Sequence, residues 1–169
     1  MVDGAKNENV VECPGCIIEK RIQMYSDMEI EEYATKFKSM RFVSIPNFLG
    51  PEMLDAIRNE CEYITEYHGK NKNLLIKSTG DTPQQMRTVG QHILSRKSTF
   101  IPKIYSSGEL CNFISRLAGE EVFRAPWAPE EYVLSNLYRN GDTHGWHIVK
   151  PYYARICCSP TPQNASFFY

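Results

Sequence analysis

The chain has 169 residues, 42% of them hydrophobic and 23% charged, the composition of an ordinary globular domain long enough to bury a core. Its formal charge of -1 gives no electrostatic reason to expect nucleic acid or an anionic membrane surface as partner. No apolar run approaches the roughly 18 residues of a membrane span, and the polar start MVDGAKNENVVE lacks the apolar core of a signal peptide.

A cytoplasmic protein is therefore expected, with its six cysteines as thiols rather than a disulfide frame. Residues 1–24 read as a loose leader. They hold Cys13-Pro-Gly-Cys16, a CxxC that suits either redox chemistry or half of a zinc site. A thioredoxin-type pair opens a helix after a strand, a context this polar start does not offer. Zinc would need two further ligands, and Cys157-Cys158 has the wrong spacing. Two exposed thiols in a flexible leader are the expectation, with a small thiol or zinc protein as a third functional class.

The first helix is announced by Ser26-x-x-Glu29, a capping box, followed by Ile30, Tyr33, Ala34 and Phe37 at helical spacing. RFVSIPNF follows as a strand, with Pro46 marking an edge or a strand end. Gly50-Pro51 opens a second helix whose buried stripe is Met53, Leu54, Ile57, Cys61 and Ile64, stopped by Gly69. HGKNKN reads as flexible, LLIKS as a short strand, and residues 79–97 as polar and turn-rich, with Arg87 and His92 ordinary loop residues. Ser106-x-x-Glu109 predicts a third helix carrying Leu110, Phe113, Ile114 and Leu117 inward and ending at Gly119. After the proline-punctuated FRAPWAPEE, residues 131–138 alternate well enough for a half-buried strand. Helices precede strands, so the expected class is α+β.

NGDTHGWHIVKPY, from Asn140 to Tyr152, holds the one histidine cluster, His144 and His147. Imidazole suits iron, zinc and copper alike, and two histidines bonded to backbone at a sheet edge are the plainer reading of the pair alone. Its context adds more. RFVSIPNFLGPEMLDAIRNECEYI and EEYVLSNLYRNGDTHGWH resemble the opening and the metal approach of iron(II)/2-oxoglutarate oxygenases of the phytanoyl-CoA-hydroxylase-like type.

That resemblance implies N-terminal helices and part of a double-stranded β-helix, or jelly-roll, core. It implies iron(II) and 2-oxoglutarate as cofactors and hydroxylation or another oxidation of a small molecule, of the kind found in secondary-metabolite biosynthesis. His147, assisted by His144, would be the metal ligand, and Tyr132 and Asn136 would line the co-substrate pocket. The family's His-x-Asp is broken, because Val149 stands where the carboxylate belongs. Iron halogenases of this superfamily also lack that carboxylate but carry Gly or Ala, leaving room for chloride. No histidine follows His147, and Lys150 and Arg155 come too early to be the distal cation that binds 2-oxoglutarate.

The expected division is a leader at 1–24, a partial oxygenase domain at 25–147 and a divergent, irregular tail at 148–169, foreign to the family as after an unspliced intron or a frameshift. Half a jelly roll would expose an open sheet, for which a dimer or a covering partner is expected. The alternative function is a catalytically inactive remnant, or a binding or regulatory protein derived from the family.

Overall fold

Pro14 stands at the first helical position, and Ile18 and Ile22 recur at helical spacing behind it. The segment expected as a loose leader accordingly contains a helix, α1 (Pro14–Gln23), with both isoleucines buried. The computed structural model describes residues 13–137, 139–146, 155–158 and 164–168. Arg21 pins α1 to the main chain, donating from Nε to the Phe48 carbonyl at 3.1 Å and from its terminal nitrogen to the Asn47 carbonyl.

The helix α2 (Asp27–Met40) starts where the capping box places it: the Glu29 amide donates to Ser26 Oγ, and the Glu29 carboxylate accepts from the Ser26 amide at 2.8 Å. The Ser26 hydroxyl, which donates to the same carboxylate at 2.7 Å, and then the Ser26 amide hold the Glu29 carboxyl below the ordinary glutamate value of 4.5. A lowered folded value means that the box contributes its full stability above that pH and loses it as pH falls through the folded value. The melting-temperature advantage of the wild type over Glu29→Gln is therefore expected to shrink on acidification, as a pH series of thermal melts of the two proteins would show.

The strand β1 (Phe42–Pro46) alternates as half-buried and buried residues and ends at Pro46, where a proline is tolerated. Next, α3 (Pro51–His68) runs about 27 Å, long enough to serve two cores. Its first half places Met53 and Ile57 in one apolar cluster with Ile18, Ile30, Val43, Ile45, Phe48, Leu110 and Phe113. Its second half places Ile64 against Val89 and Leu94 in another.

Residues read as flexible, as the short strand LLIKS and as turn-rich together form a hairpin. Here β2 (Lys70–Ile76) and β3 (Thr82–Val89) pair antiparallel from Lys70↔Thr88 to Ile76↔Thr82, around a 3-10 turn at Lys77–Thr79. Every residue of β2 but Ile76 is exposed, so it carries almost no apolar periodicity to read. Beyond β3 come α4 (Gln91–Lys97) and α5 (Ile101–Tyr105), which Glu60 of α3 ties down by accepting from the Thr99 amide at 2.7 Å and the Phe100 amide at 3.3 Å. The third expected helix is α6 (Gly108–Ala118), capped one residue later than predicted. Ser106 belongs to the preceding turn, its amide bonded to the Pro102 carbonyl, and Ser107 Oγ accepts from the Leu110 amide.

A short β4 (Leu134–Asn136) joins the hairpin as Val89↔Leu134 through Arg87↔Asn136, giving the sheet order β2-β3-β4. The tail, expected to be irregular, supplies β5 (Arg155–Cys158) and β6 (Asn164–Phe168). β6 pairs antiparallel with β1, from Phe42↔Phe168 to Pro46↔Asn164, in the order β1-β6-β5. The architecture is mixed helix and antiparallel sheet, in two three-stranded sheets among the described residues. No helix among those residues is long and apolar enough to cross a membrane.

Candidate functional site

The histidine-bearing segment is held by β3. Extending the β4 register toward the start of β3 would put residue 138 opposite Gln85, but Thr143 stands there instead, exchanging two backbone hydrogen bonds of 2.8 Å with Gln85. A loop is thus inserted between β4 and the resumed pairing. It closes on itself through Asp142, whose carboxylate accepts from the Arg139 amide at 2.8 Å and whose amide donates to the Arg139 carbonyl.

From Thr143 the chain tracks along β3 residue by residue. Buried Gln84 donates its side-chain amide to the His144 carbonyl at 3.0 Å. Gly145 lies over Pro83, and the Trp146 carbonyl accepts from Thr79 Oγ1 at 2.6 Å and Thr82 Oγ1 at 3.1 Å. Gly145 is required there on two counts. Its φ is +67°, and a Cβ would sit 2.8 Å from the Pro83 carbonyl oxygen and 2.9 Å from Ile76 Cδ1. Pro83 has no N–H, so this rung uses close approach where a hydrogen bond would otherwise form. The Trp146 side chain, 80% exposed, stands out from the docked main chain.

The predicted site residues separate in this frame. His144 is half-buried in the docked segment, whereas His147 and Val149 lie outside the described residues. Asn136 pairs with Arg87, two residues along β3 from the Gln85–Thr143 bridge, so it stands on the same strand edge as the docked segment. Tyr132 is farther off. Its ring meets Tyr105 edge-on at 5.3 Å and packs on the second apolar cluster. Arg87 is occupied in closing α3, donating from Nε to the Gly69 carbonyl at 3.2 Å and from a terminal nitrogen to the Glu66 carbonyl at 2.9 Å. Sequence reasoning missed the anchors Thr79, Thr82 and Gln84. They sit in the stretch read as turn-rich, and their one signal is a pair of threonines flanking a Gly-Asp turn.

The chain matches the family model of halogenase D over residues 25–166. It belongs to the halogenase D family. No curated protein matches it. The match makes the chain halogenase-related and oxygenase-like, a coarser placement than the phytanoyl-CoA-hydroxylase-like type. It begins beside the Ser26 cap, leaving α1 outside, and runs past His147 through β5 and into β6. The halogenase D span therefore takes in most of the segment that reads, from sequence, as foreign to the family.

Iron(II) is the metal that such a family implies, and its oxygenase sites use two histidines and a carboxylate, or two histidines and an open position. Among the described residues no three His, Cys, Asp or Glu side chains come together. The described donors do not by themselves fit the ion, since a single imidazole at His144 leaves most of its coordination unfilled.

Proposed function

We propose that this halogenase D protein is a halogenase-related member of the non-haem iron(II)/2-oxoglutarate oxygenases, acting on a small organic molecule. The observation that carries the reading is the family match, which spans the Thr143–Trp146 segment latched to β3. In this reading His147 is the principal metal ligand, His144 assists, and Asn136 lies on the co-substrate side. Val149 in place of a carboxylate favours the halogenase branch over the hydroxylases, although its side chain is larger than the Gly or Ala of iron halogenases.

A second reading is supported by the sequence itself, in which Val149 stands where the metal-binding carboxylate of the family belongs. In it the chain is a non-catalytic family member that keeps the fold and binds without turnover. Thermal melts under nitrogen separate the two. Iron(II) and 2-oxoglutarate together, at about a hundred times their dissociation constant, are expected to raise the melting temperature by about 5 °C or more. His147→Ala is expected to remove the shift. An unchanged melting temperature in the wild type supports the non-catalytic reading.

A further inference from the structure

Two thiols at the start of α1 lie outside the halogenase D span, and the family reading gives them no task. We propose that Cys13 and Cys16 form a redox-active dithiol, closing reversibly to an intramolecular disulfide by exchange with a small-molecule disulfide.

The placement differs from that of two thiols on a flexible leader. Cys13 is the residue that caps α1, and Cys16 is the third residue of the helix, so both sulfurs belong to its first turn. Both side chains are exposed, while Pro14, Gly15 and Ile18 between and behind them are buried. A rigid helix, pinned by Arg21 to the Phe48 carbonyl, therefore presents both thiols to solvent.

The Cys13 sulfur folds back over the turn, 3.7 Å from where a Cβ on Gly15 would stand. The first turn contains no acidic residue, so the Gly15 and Cys16 amides face the sulfur without a competing anion. The Cys13 thiol is held below its usual pKa, first by the Cys16 amide, then by the Cys16 thiol and the Gly15 amide; burial opposes them, and the Lys103 ammonium adds the least. That is the environment of a nucleophilic thiol. Cys111 and Cys61 differ: Cys111 donates its S–H to the Val122 carbonyl at 2.9 Å, and Cys61 packs against the first apolar cluster. No described side chains complete a zinc site around the pair.

The exchange balances in two steps. The Cys13 thiolate attacks one sulfur of the disulfide RS–SR, forming a mixed disulfide and expelling RS⁻, which takes up the proton that Cys13 gave up. The Cys16 sulfur then attacks the Cys13 sulfur, breaking the mixed disulfide and expelling the second RS⁻, which receives the Cys16 proton. The two cysteines are oxidised, one small disulfide is reduced to two thiols, and excess thiol reverses the sequence.

The test uses the full chain, reduced and then equilibrated with graded mixtures of glutathione and its disulfide, alkylated and digested with trypsin. One tryptic peptide, residues 7–20, carries both cysteines. The expected result is that this peptide loses two hydrogens and carries no glutathione, reversibly with the glutathione ratio. Cys16→Ser is expected to trap a mixed disulfide on Cys13. In the reduced protein Cys13 should alkylate about threefold faster than in the urea-unfolded chain at the same pH. The substituted position is exposed, and a melting curve of the variant checks the fold. Stable glutathione adducts on both cysteines without closure would overturn the proposal. So would a disulfide from either to any other cysteine, or resistance to oxidation where the unfolded chain oxidises.

Discussion

Gly145→Ala is expected to release the Thr143–Trp146 segment from β3 and to destabilise the protein by at least about 1–3 kcal/mol. Two costs act at once. A left-handed φ of +67° is unfavourable for any residue with a Cβ, and this Cβ would meet the Pro83 carbonyl oxygen at 2.8 Å. The obstructing atom is backbone in a paired strand, so no side-chain rotation relieves the contact. The matched control is Gly80→Ala, where φ is +78° but nothing lies within 4 Å of the added carbon. The control is expected to cost about 1 kcal/mol, the conformational penalty alone. Urea unfolding gives both values. Hydrogen exchange adds a local readout, since the Gln85 and Thr143 amides, each donating to the other residue's carbonyl, should lose protection in Gly145→Ala and keep it in Gly80→Ala. Equal costs for the two substitutions, with both amides still protected, would mean that the segment is not held by its close approach to Pro83.

The largest stability effect is expected at Phe113. Its side chain, 1% exposed, stacks on Phe48 with centroids 5.6 Å apart and lies 6.0 Å from the ring of Tyr25. These three rings tie α6 to the chain leaving β1 and to the link between α1 and α2. Phe113→Ala removes the ring and leaves a cavity that α6, tethered by the Ser107 cap, closes poorly; the expected cost is about 3–5 kcal/mol. Such a loss is a large share of the roughly 5–15 kcal/mol that holds a domain together. Phe123, 72% exposed, is the comparison: Phe123→Ala is expected to shift the urea midpoint little. Similar midpoints for the two alanine variants would contradict the placement of the core around Phe113.

How much of this was readable in the sequence depended on where the burial lay. Helices with a buried stripe and a local start signal were legible: α2 from its capping box and α3 from Gly50-Pro51 and its apolar spacing. The start of α6 was legible to within one residue, because adjacent serines offer the same hydroxyl and only the turn closed at Ser106 chooses between them. The hairpin was legible only at residues 74–76, read within the short strand LLIKS. β2 is exposed along nearly its whole length, and β3 reads Thr-Pro-Gln-Gln-Met-Arg-Thr-Val, so the pairing comes from backbone bonds that leave little side-chain pattern. The helix α1 was hidden by its polar flank and by the reading of CxxC without a preceding strand. Of the tail strands, β6 pairs with β1, a partner more than a hundred residues away that no local window contains, and β5 pairs with β6.

The candidate site divides in the same way. Histidine spacing and flanking motifs pointed to the segment at 144–147, and family membership supports attention to it. What latches that segment was invisible, because Gln84, Thr79 and Thr82 act on its carbonyls, and a main-chain acceptor has no residue identity to read.

The most direct test of the central claim, that the segment latched to β3 is the iron side of a halogenase-related site, is an anaerobic titration with iron(II) and 2-oxoglutarate, followed by the visible charge-transfer absorption of their complex. The expected result is a band that saturates near one iron per chain, is lost in His147→Ala and is weakened in Gly145→Ala. A folded wild-type protein that develops no band would contradict the claim and leave the halogenase D fold without its metal chemistry.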